Sequence, residues 1–202
     1  MKITEEKYFF EKEVFSKPDY EFNFEFDKDL IKEILRHKKS GKVLELGCGE
    51  GGISLELARR NFDVTCIDIS KTAIELIKKE ALKKNVKINV ICADLGIYKI
   101  KEKYDIIIAK GFFHFLPKKN TLKLILDCQK YTKDEGINIF DVLLEGDPSQ
   151  GEDSEGYYFK EGELKRIYSE WEIIDYEEYE DFDEEDRANE LGFLIAKKIK
   201  GI

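Results

Sequence analysis

The strongest constraint on this chain is its rhythm: short apolar runs of strand length alternate with amphipathic stretches of helical period, and a glycine-rich turn follows the first run. DKDLIKEILRHKK at 27–39 places Leu30, Ile31, Ile34 and Leu35 on one helical face, with Asp27 and Asp29 where a helix N-terminus favours negative charge. KVLELG at 42–47 is too short for an ordinary helix and reads as a strand. ISLELARRN then predicts a helix through Ile53, Leu57 and Ala58, and FDVTCID a second strand ending at Asp68. The pattern repeats. Ser70 caps a helix whose Ile74, Ile77 and Leu82 share a face, and KINVICAD follows as a third strand. YDIIIAKG is apolar throughout its middle, as a strand buried on both faces must be. Residues 117–131 predict a helix with Leu122, Ile125 and Leu126 inward, before a fifth strand in GINIFDVLL.

Alternation of this kind specifies parallel strands joined by right-handed crossovers. Near the end, WEIIDYEEY and LGFLIAKKI are separated by too few residues for a crossover helix, so they must pair antiparallel. The expected fold is α/β: a Rossmann-like, doubly wound, seven-stranded sheet, parallel except for a C-terminal antiparallel hairpin. At 202 residues the chain suits one domain, drawn over 27–202, preceded by an aromatic arm at 1–26. A net charge of −9 disfavours gripping nucleic acid through phosphates. The first residues lack the pattern of a signal peptide and no apolar stretch approaches membrane-spanning length, so no membrane partner and a cytoplasmic location are expected. Cys48, Cys66, Cys92 and Cys128 form no CxxC pair, so no metal site is expected; three of them sit in or beside apolar runs, where a thiol acts as a small core residue.

The glycine turn fits two motifs. Gly47-x-Gly49-x-x-Gly52 matches a dinucleotide fingerprint, in which a helix N-terminus faces a pyrophosphate. Glu45-x-Gly47-x-Gly49-x-Gly51 matches the S-adenosylmethionine loop of class I methyltransferases. In both, glycine lets a ligand approach backbone that carries no Cβ. Three features separate the readings. Glu45 on the strand would face a pyrophosphate badly, yet suits a cofactor with an ammonium and a sulfonium. The terminal hairpin resembles the one added to class I methyltransferases. The Tyr-x-x-x-Lys of a short-chain dehydrogenase matches only at Tyr8 to Lys12, ahead of the first strand. Asp68 stands where an acid accepts hydrogen bonds from ribose hydroxyls, which suits either cofactor. Asp94 stands where the methyltransferases place an acceptor for the adenine amino group; the plain alternative for both acids is a cap or turn.

With these residues in order at successive strand ends, the sequence resembles class I S-adenosylmethionine-dependent methyltransferases over nearly its whole length. Within them it is most similar to the tellurite-resistance (thiopurine-like) methyltransferase family. The carrying segments are VLELGCGEGG, CID, CADL, YDIIIAKGFFHFL, YYFKEGELKRIYSEWEIIDYEE and an N-terminal Tyr8-Phe9. The resemblance implies a small enzyme that methylates a small soft nucleophile, such as a tellurium or selenium oxyanion or a thiol. S-adenosyl-L-methionine is the expected cofactor, held by Glu45, Gly47, Cys48, Gly49, Gly51, Asp68, Ile69, Ala93, Asp94, Leu95 and Lys110. In place of the family's His-Arg pair before the last strand, this chain has Arg187 with no histidine beside it.

Transfer from a sulfonium needs alignment and exclusion of water more than acid–base help. His114 is a candidate general base or hydrogen-bond donor, with packing among Phe112, Phe113 and Phe115 as the alternative. Lys110 and Arg187 are the candidates for holding an anion, and Tyr157, Tyr158 and Phe159 for part of a lid. The arm, with Phe9, Phe10, Phe15, Phe22, Phe24 and Phe26, reads either as a lid over the cofactor or as a cover for one face of the sheet. The expected partner is a small-molecule substrate, and oligomeric state is left open. Alternatives are a methyltransferase for a protein or another metabolite, and a non-catalytic S-adenosylmethionine-binding regulatory module. Acidity is concentrated at 170–190, where Arg187 is the single base, which suits a solvated sheet edge or a surface for a basic partner.

Overall fold

A computed structural model describes residues 11, 14, 15, 17, 24–150, 155–182 and 188–201. Helix α1 (Lys28–His37) leads into β1 (Lys42–Leu46), α2 (Gly52–Arg59), β2 (Asp63–Asp68), α3 (Lys71–Lys83) and β3 (Asn89–Cys92). Then come β4 (Tyr104–Lys110), a 3₁₀ turn (Phe113–Phe115), α4 (Lys118–Tyr131), β5 (Thr132–Leu143), α5 (Glu163–Ile167), β6 (Glu172–Phe182) and β7 (Ala188–Lys197). The seven strands form one sheet in the order β3-β2-β1-β4-β5-β7-β6. The first five pair parallel, and β7 runs antiparallel to both β5 and β6. The expected fold class is therefore the observed one.

Period-2 alternation in the central strands feeds two cores. Ile106 and Ile108 of β4 pack with Leu30, Ile31 and Ile34 of α1 on one face. Ile107 and Ala109 face the other way, toward Leu124 and Ile125 of α4 and Leu164 and Tyr168 around α5. The caps match local chemistry. Asp27 Oδ1 accepts the amides of Asp29 and Leu30 at 3.0 and 2.9 Å, and Ser70 Oγ accepts that of Ala73 at 3.0 Å.

Several side chains depart from expectation. Leu82 and Leu126 are exposed, at 82% and 62%, instead of lying on the buried faces of their helices. The face of α3 is Ala73, Ile74, Ile77 and Ala81, and that of α4 is Thr121, Leu124, Ile125 and Cys128. Each leucine follows the last inward residue of its turn and is rotated about 100° away from the sheet. Cys92 is exposed because it lies on β3, the edge strand, whereas Cys48, Cys66 and Cys128 are buried. Tyr157, Tyr158 and Phe159 are buried side chains, and Tyr157 and Phe159 belong to the main core cluster. β6 is the other edge, and its acidic face is largely solvated. No helix among the described residues is long and apolar enough to cross a membrane.

The leucine assignment is open to measurement. Leu124→Ala should lower unfolding free energy by about 2–5 kcal/mol, while Leu82→Lys should change it by less than about 0.5 kcal/mol. Urea titrations of the two variants decide it; similar losses would return Leu82 to the core.

Candidate functional site

Parallel strands finish together, so the turns leaving β1, β2, β3 and β4 converge, and they close on a cavity of about 260 Å³. The first turn is held by backbone alone: Gly47 and Cys48 donate their amides to Ile67 O at 2.9 and 3.1 Å. Gly47 has φ +67, and a Cβ there would meet the Phe112 ring at 2.7 Å, so a larger residue would be strained and would also displace the ring. Gly51, also left-handed, is the N-cap of α2.

Asp68 ties this turn to the next. Its Oδ2 accepts the Gly49 amide and its Oδ1 the Ser70 amide, both at 2.9 Å. Burial raises the carboxyl above the usual range, and the amides of Ser70, Gly49 and Ile69 pull it back. Gly47, Gly49, Asp68 and Ile69 form one part of the cavity wall; Ala93, Asp94 and Leu95 form another. Asp94 also makes its own turn, accepting the Gly96 amide at 2.8 Å.

Lys110 completes the wall. Its Nζ lies 3.4 Å from Asp141 Oδ2 and 3.5 Å from Asp27 Oδ2, so its charge is shared by two carboxylates from different elements. Lys110 also borders a cleft of about 320 Å³ that Glu45, Cys48 and Gly51 line from the other side of the glycine turn. Cys48 is packed there against Cys66; the Cys66 thiol and burial push its pKa up, which leaves an inert thiol.

Glu45 is the unusual group. It is buried, and Ser54 donates its hydroxyl to the carboxylate. Burial pushes its pKa up to about 7, with the Ser54 hydrogen bonds and Lys110 opposing and Asp68 adding to the rise.

His114 sits behind this wall. Its ring centroid is 4.0 Å from that of Phe115 and 6.1 Å from that of Tyr158, and Nδ1 is buried without a hydrogen-bond partner among the described residues. Burial lowers its pKa to about 4, against a smaller upward pull from Asp147, so the imidazole is uncharged at neutral pH. Arg187 lies outside the described residues. Among those residues, no group of three or more His, Cys, Asp or Glu is placed to hold a metal ion.

The structure also brings in residues that the sequence reading left out of the site. Phe15, Gly111, Phe112, Phe115 and Leu116 line the cavity, and Asp27 and Asp141 hold Lys110. Asp141 was legible in principle as the one acid within the apolar run 137–143 of β5. Phe15 was legible only as one of six phenylalanines of an arm that could cover either the cofactor or the sheet.

The model of the family described as tellurite resistance protein TehB matches residues 2–201. A probable S-adenosyl-L-methionine-dependent methyltransferase TehB of Haemophilus influenzae is 31% identical over 158 residues, covering 78% of this chain and 54% of the relative. Hemagglutinin 1 of Eikenella corrodens is 29% identical over 73% of this chain and 49% of its own length. The chain thus spans about half the length of these curated relatives. The crystal structure of TehB from Haemophilus influenzae superposes with a TM-score of 0.77 at 25% identity, over 95% of this chain and 67% of that one. The magnesium protoporphyrin IX methyltransferase of Synechocystis PCC 6803, solved with SAH bound, shares the fold at a TM-score of 0.74 and 15% identity, over 97% of this chain and 99% of that one.

The buried Glu45 makes a stability prediction with a definite sign. Below its ordinary value of 4.5 the carboxyl is protonated in both folded and unfolded chains. Between there and about 7 only the unfolded chain releases the proton, so this group destabilises the fold increasingly as pH rises. Glu45→Gln, which still accepts from Ser54, should raise Tm at pH 8 and leave it nearly unchanged at pH 4. Thermal unfolding at the two pH values tests this, and a lower Tm at pH 8 would contradict it.

Proposed function

Because this chain belongs to the tellurite resistance protein TehB family, we propose that it is a methyltransferase that uses S-adenosyl-L-methionine to methylate a small soft nucleophile, namely a tellurium or selenium oxyanion or a thiol. The carrying observation is the cavity itself. A glycine turn without Cβ atoms, two strand-end carboxylates and an apolar wall of Ile69, Leu95 and Phe115 meet in one space. That donor set fits the cofactor. Asp68 keeps lone pairs beyond those used by Gly49 and Ser70 and can accept from ribose hydroxyls. Asp94, with Ala93 and Leu95 beside it, would accept from the adenine amino group, and Gly47, Gly49 and Lys110 would border the amino acid end of the cofactor.

Bound S-adenosyl-L-methionine supplies an electrophilic methyl group on a sulfonium. The chain's own part is to hold, orient and keep dry. Phe112, Phe115 and Leu116 present an apolar surface where the acceptor must arrive. Lys110, fixed by Asp27 and Asp141, positions the acceptor as part of a paired group rather than a bare cation. His114, uncharged behind the cavity wall, contributes packing against Phe115, and its low pKa makes it a poor base. Arg187 is retained as a candidate anion contact.

The N-terminal arm belongs to the same reading. Phe15 is buried in the cavity wall, and Glu11 accepts hydrogen bonds from Ser70 Oγ, Thr72 Oγ1 at 2.9 Å and Thr72 N at 3.3 Å at the start of α3. These contacts support an arm that covers the cofactor and excludes water.

Calorimetry with S-adenosyl-L-methionine, followed by mass spectrometry of tellurite, selenite and thiol acceptors, tests the proposal. Methylation of one acceptor class is expected. No binding at millimolar cofactor would sink it. Asp68→Ala should weaken cofactor binding at least about tenfold, the loss of hydrogen bonds to two turns and a ligand. Phe15→Ala should weaken it by about tenfold if the ring covers bound cofactor. An unchanged Kd in folded Phe15→Ala protein would remove the arm from the site.

A further inference from the structure

Strand β3 is short and lies at the edge of the sheet, and residues 93–103 run from it to β4 without a helix. Ala93, Asp94 and Leu95, which line the cofactor cavity, therefore sit on a loop with water on one side, where Ile97 is exposed. A loop of this kind moves unless something ties it down. Its own bonds give it shape: the Ile97 and Tyr98 amides donate to Asp94 O at 3.2 and 2.9 Å, and the Gly96 amide to Asp94 Oδ1 at 2.8 Å. Ala93 N joins its start to β2, donating to Asp68 O at 2.9 Å. The part of the wall built by Phe112, Phe115 and Leu116 is reached by another route.

That route is the first turn of α4. Asn120 Nδ2 donates to Gly96 O at 2.8 Å, a bond between residues 24 apart in sequence. The next residue, Thr121, is fully buried, with Oγ1 3.4 Å from both Phe113 O and Leu116 O. Pro117 O sets the pair, accepting the Asn120 and Thr121 amides at 2.9 and 3.0 Å. An asparagine at a helix start commonly bonds its own neighbouring backbone, whereas this one reaches to another element. Gly96 is thus gripped on both sides, its carbonyl by Asn120 and its amide by the Asp94 carboxylate.

We propose that Asn120 is a positioning residue for the cofactor: by holding Gly96 it fixes the direction of the Asp94 carboxylate, and so sets the affinity for the adenine amino group. The inference rests on the cofactor reading above and adds to it a side chain that acts from outside the cavity lining, through Gly96. A carboxylate on an untied loop samples several directions and must lose that freedom when the ligand binds; one already held does not.

Asn120→Asp is the decisive variant. It keeps the shape, replaces the donor by an acceptor facing Gly96 O, and puts negative charge in a first helical turn, where the helix favours it. The fold should therefore persist, with Tm within about 3 °C of that of the unmodified protein. S-Adenosyl-L-homocysteine should bind about five- to tenfold more weakly, the scale of one hydrogen bond. Asn120→Ala, which removes the donor without adding charge, should weaken it similarly. The second probe is the S-adenosyl-L-homocysteine analogue in which hydrogen replaces the adenine amino group. Its affinity should change by less than about twofold in either variant, because the contact that Asn120 supports is missing from the ligand. For the same reason the variant carrying both Asp94→Ala and Asn120→Ala should bind S-adenosyl-L-homocysteine within about twofold of Asp94→Ala alone.

Calorimetry measures all of these affinities. Unchanged binding in folded Asn120→Asp, equal losses for the two ligands, or additive losses in the double variant would each overturn the inference while leaving the cofactor reading intact. Failure of S-adenosyl-L-homocysteine to bind the unmodified protein would overturn the two together.

Discussion

Everything at the candidate site hangs from the Asp68 carboxylate. A tight turn between a buried parallel strand and a helix leaves amides pointing inward, and each needs an acceptor. Ile67 O takes two of them, and the two oxygens of Asp68 take Gly49 from the first turn and Ser70 from the second. One side chain therefore sets the distance between two loops that must face the same ligand. The position of α3 follows, because Ser70 is its N-cap. So does the seat of Glu11, which bonds to Ser70 and Thr72.

That arrangement concentrates negative charge where little solvent reaches. Glu45, Asp68 and Asp141 are all pushed upward by burial, and Lys110 is the cation among them. Burial opposes ionisation of all three, which is how a protein tolerates carboxylates that it cannot fully pair. A site of this kind is matched to a ligand bearing positive charge. Acidity elsewhere has a different meaning: on β6 the carboxylates face water at a sheet edge, where they discourage another strand from pairing.

The sheet was legible because parallel strands buried on both faces must be continuously apolar, as in Ile106, Ile107 and Ile108, and because the terminal hairpin left no room for a crossover. Glycines and strand-end acids were legible for the same reason: the fold puts strand ends together, so residues far apart in sequence become one wall. Side-chain direction within a helix was less so. Leu82 and Leu126 are as hydrophobic as their inward neighbours, and only the angle at which each helix meets the sheet decides between adjacent residues.

Pairing across elements was the least legible of all. Nothing in a linear reading says that Lys110 is claimed by Asp27 and Asp141, or which of the arm's six phenylalanines meets the cavity built by residues 47 to 116. Those contacts change the chemistry assigned to the residues involved. A lysine read as a free hold for an anion becomes a paired charge, and a histidine read as a base becomes an uncharged ring, since burial outweighs the attraction of Asp147. Burial also turns Glu45, read as a partner for a cation, into a carboxyl poised near neutrality. Desolvation thus moves the pKa of the histidine down and that of the glutamate up, disfavouring charge on both.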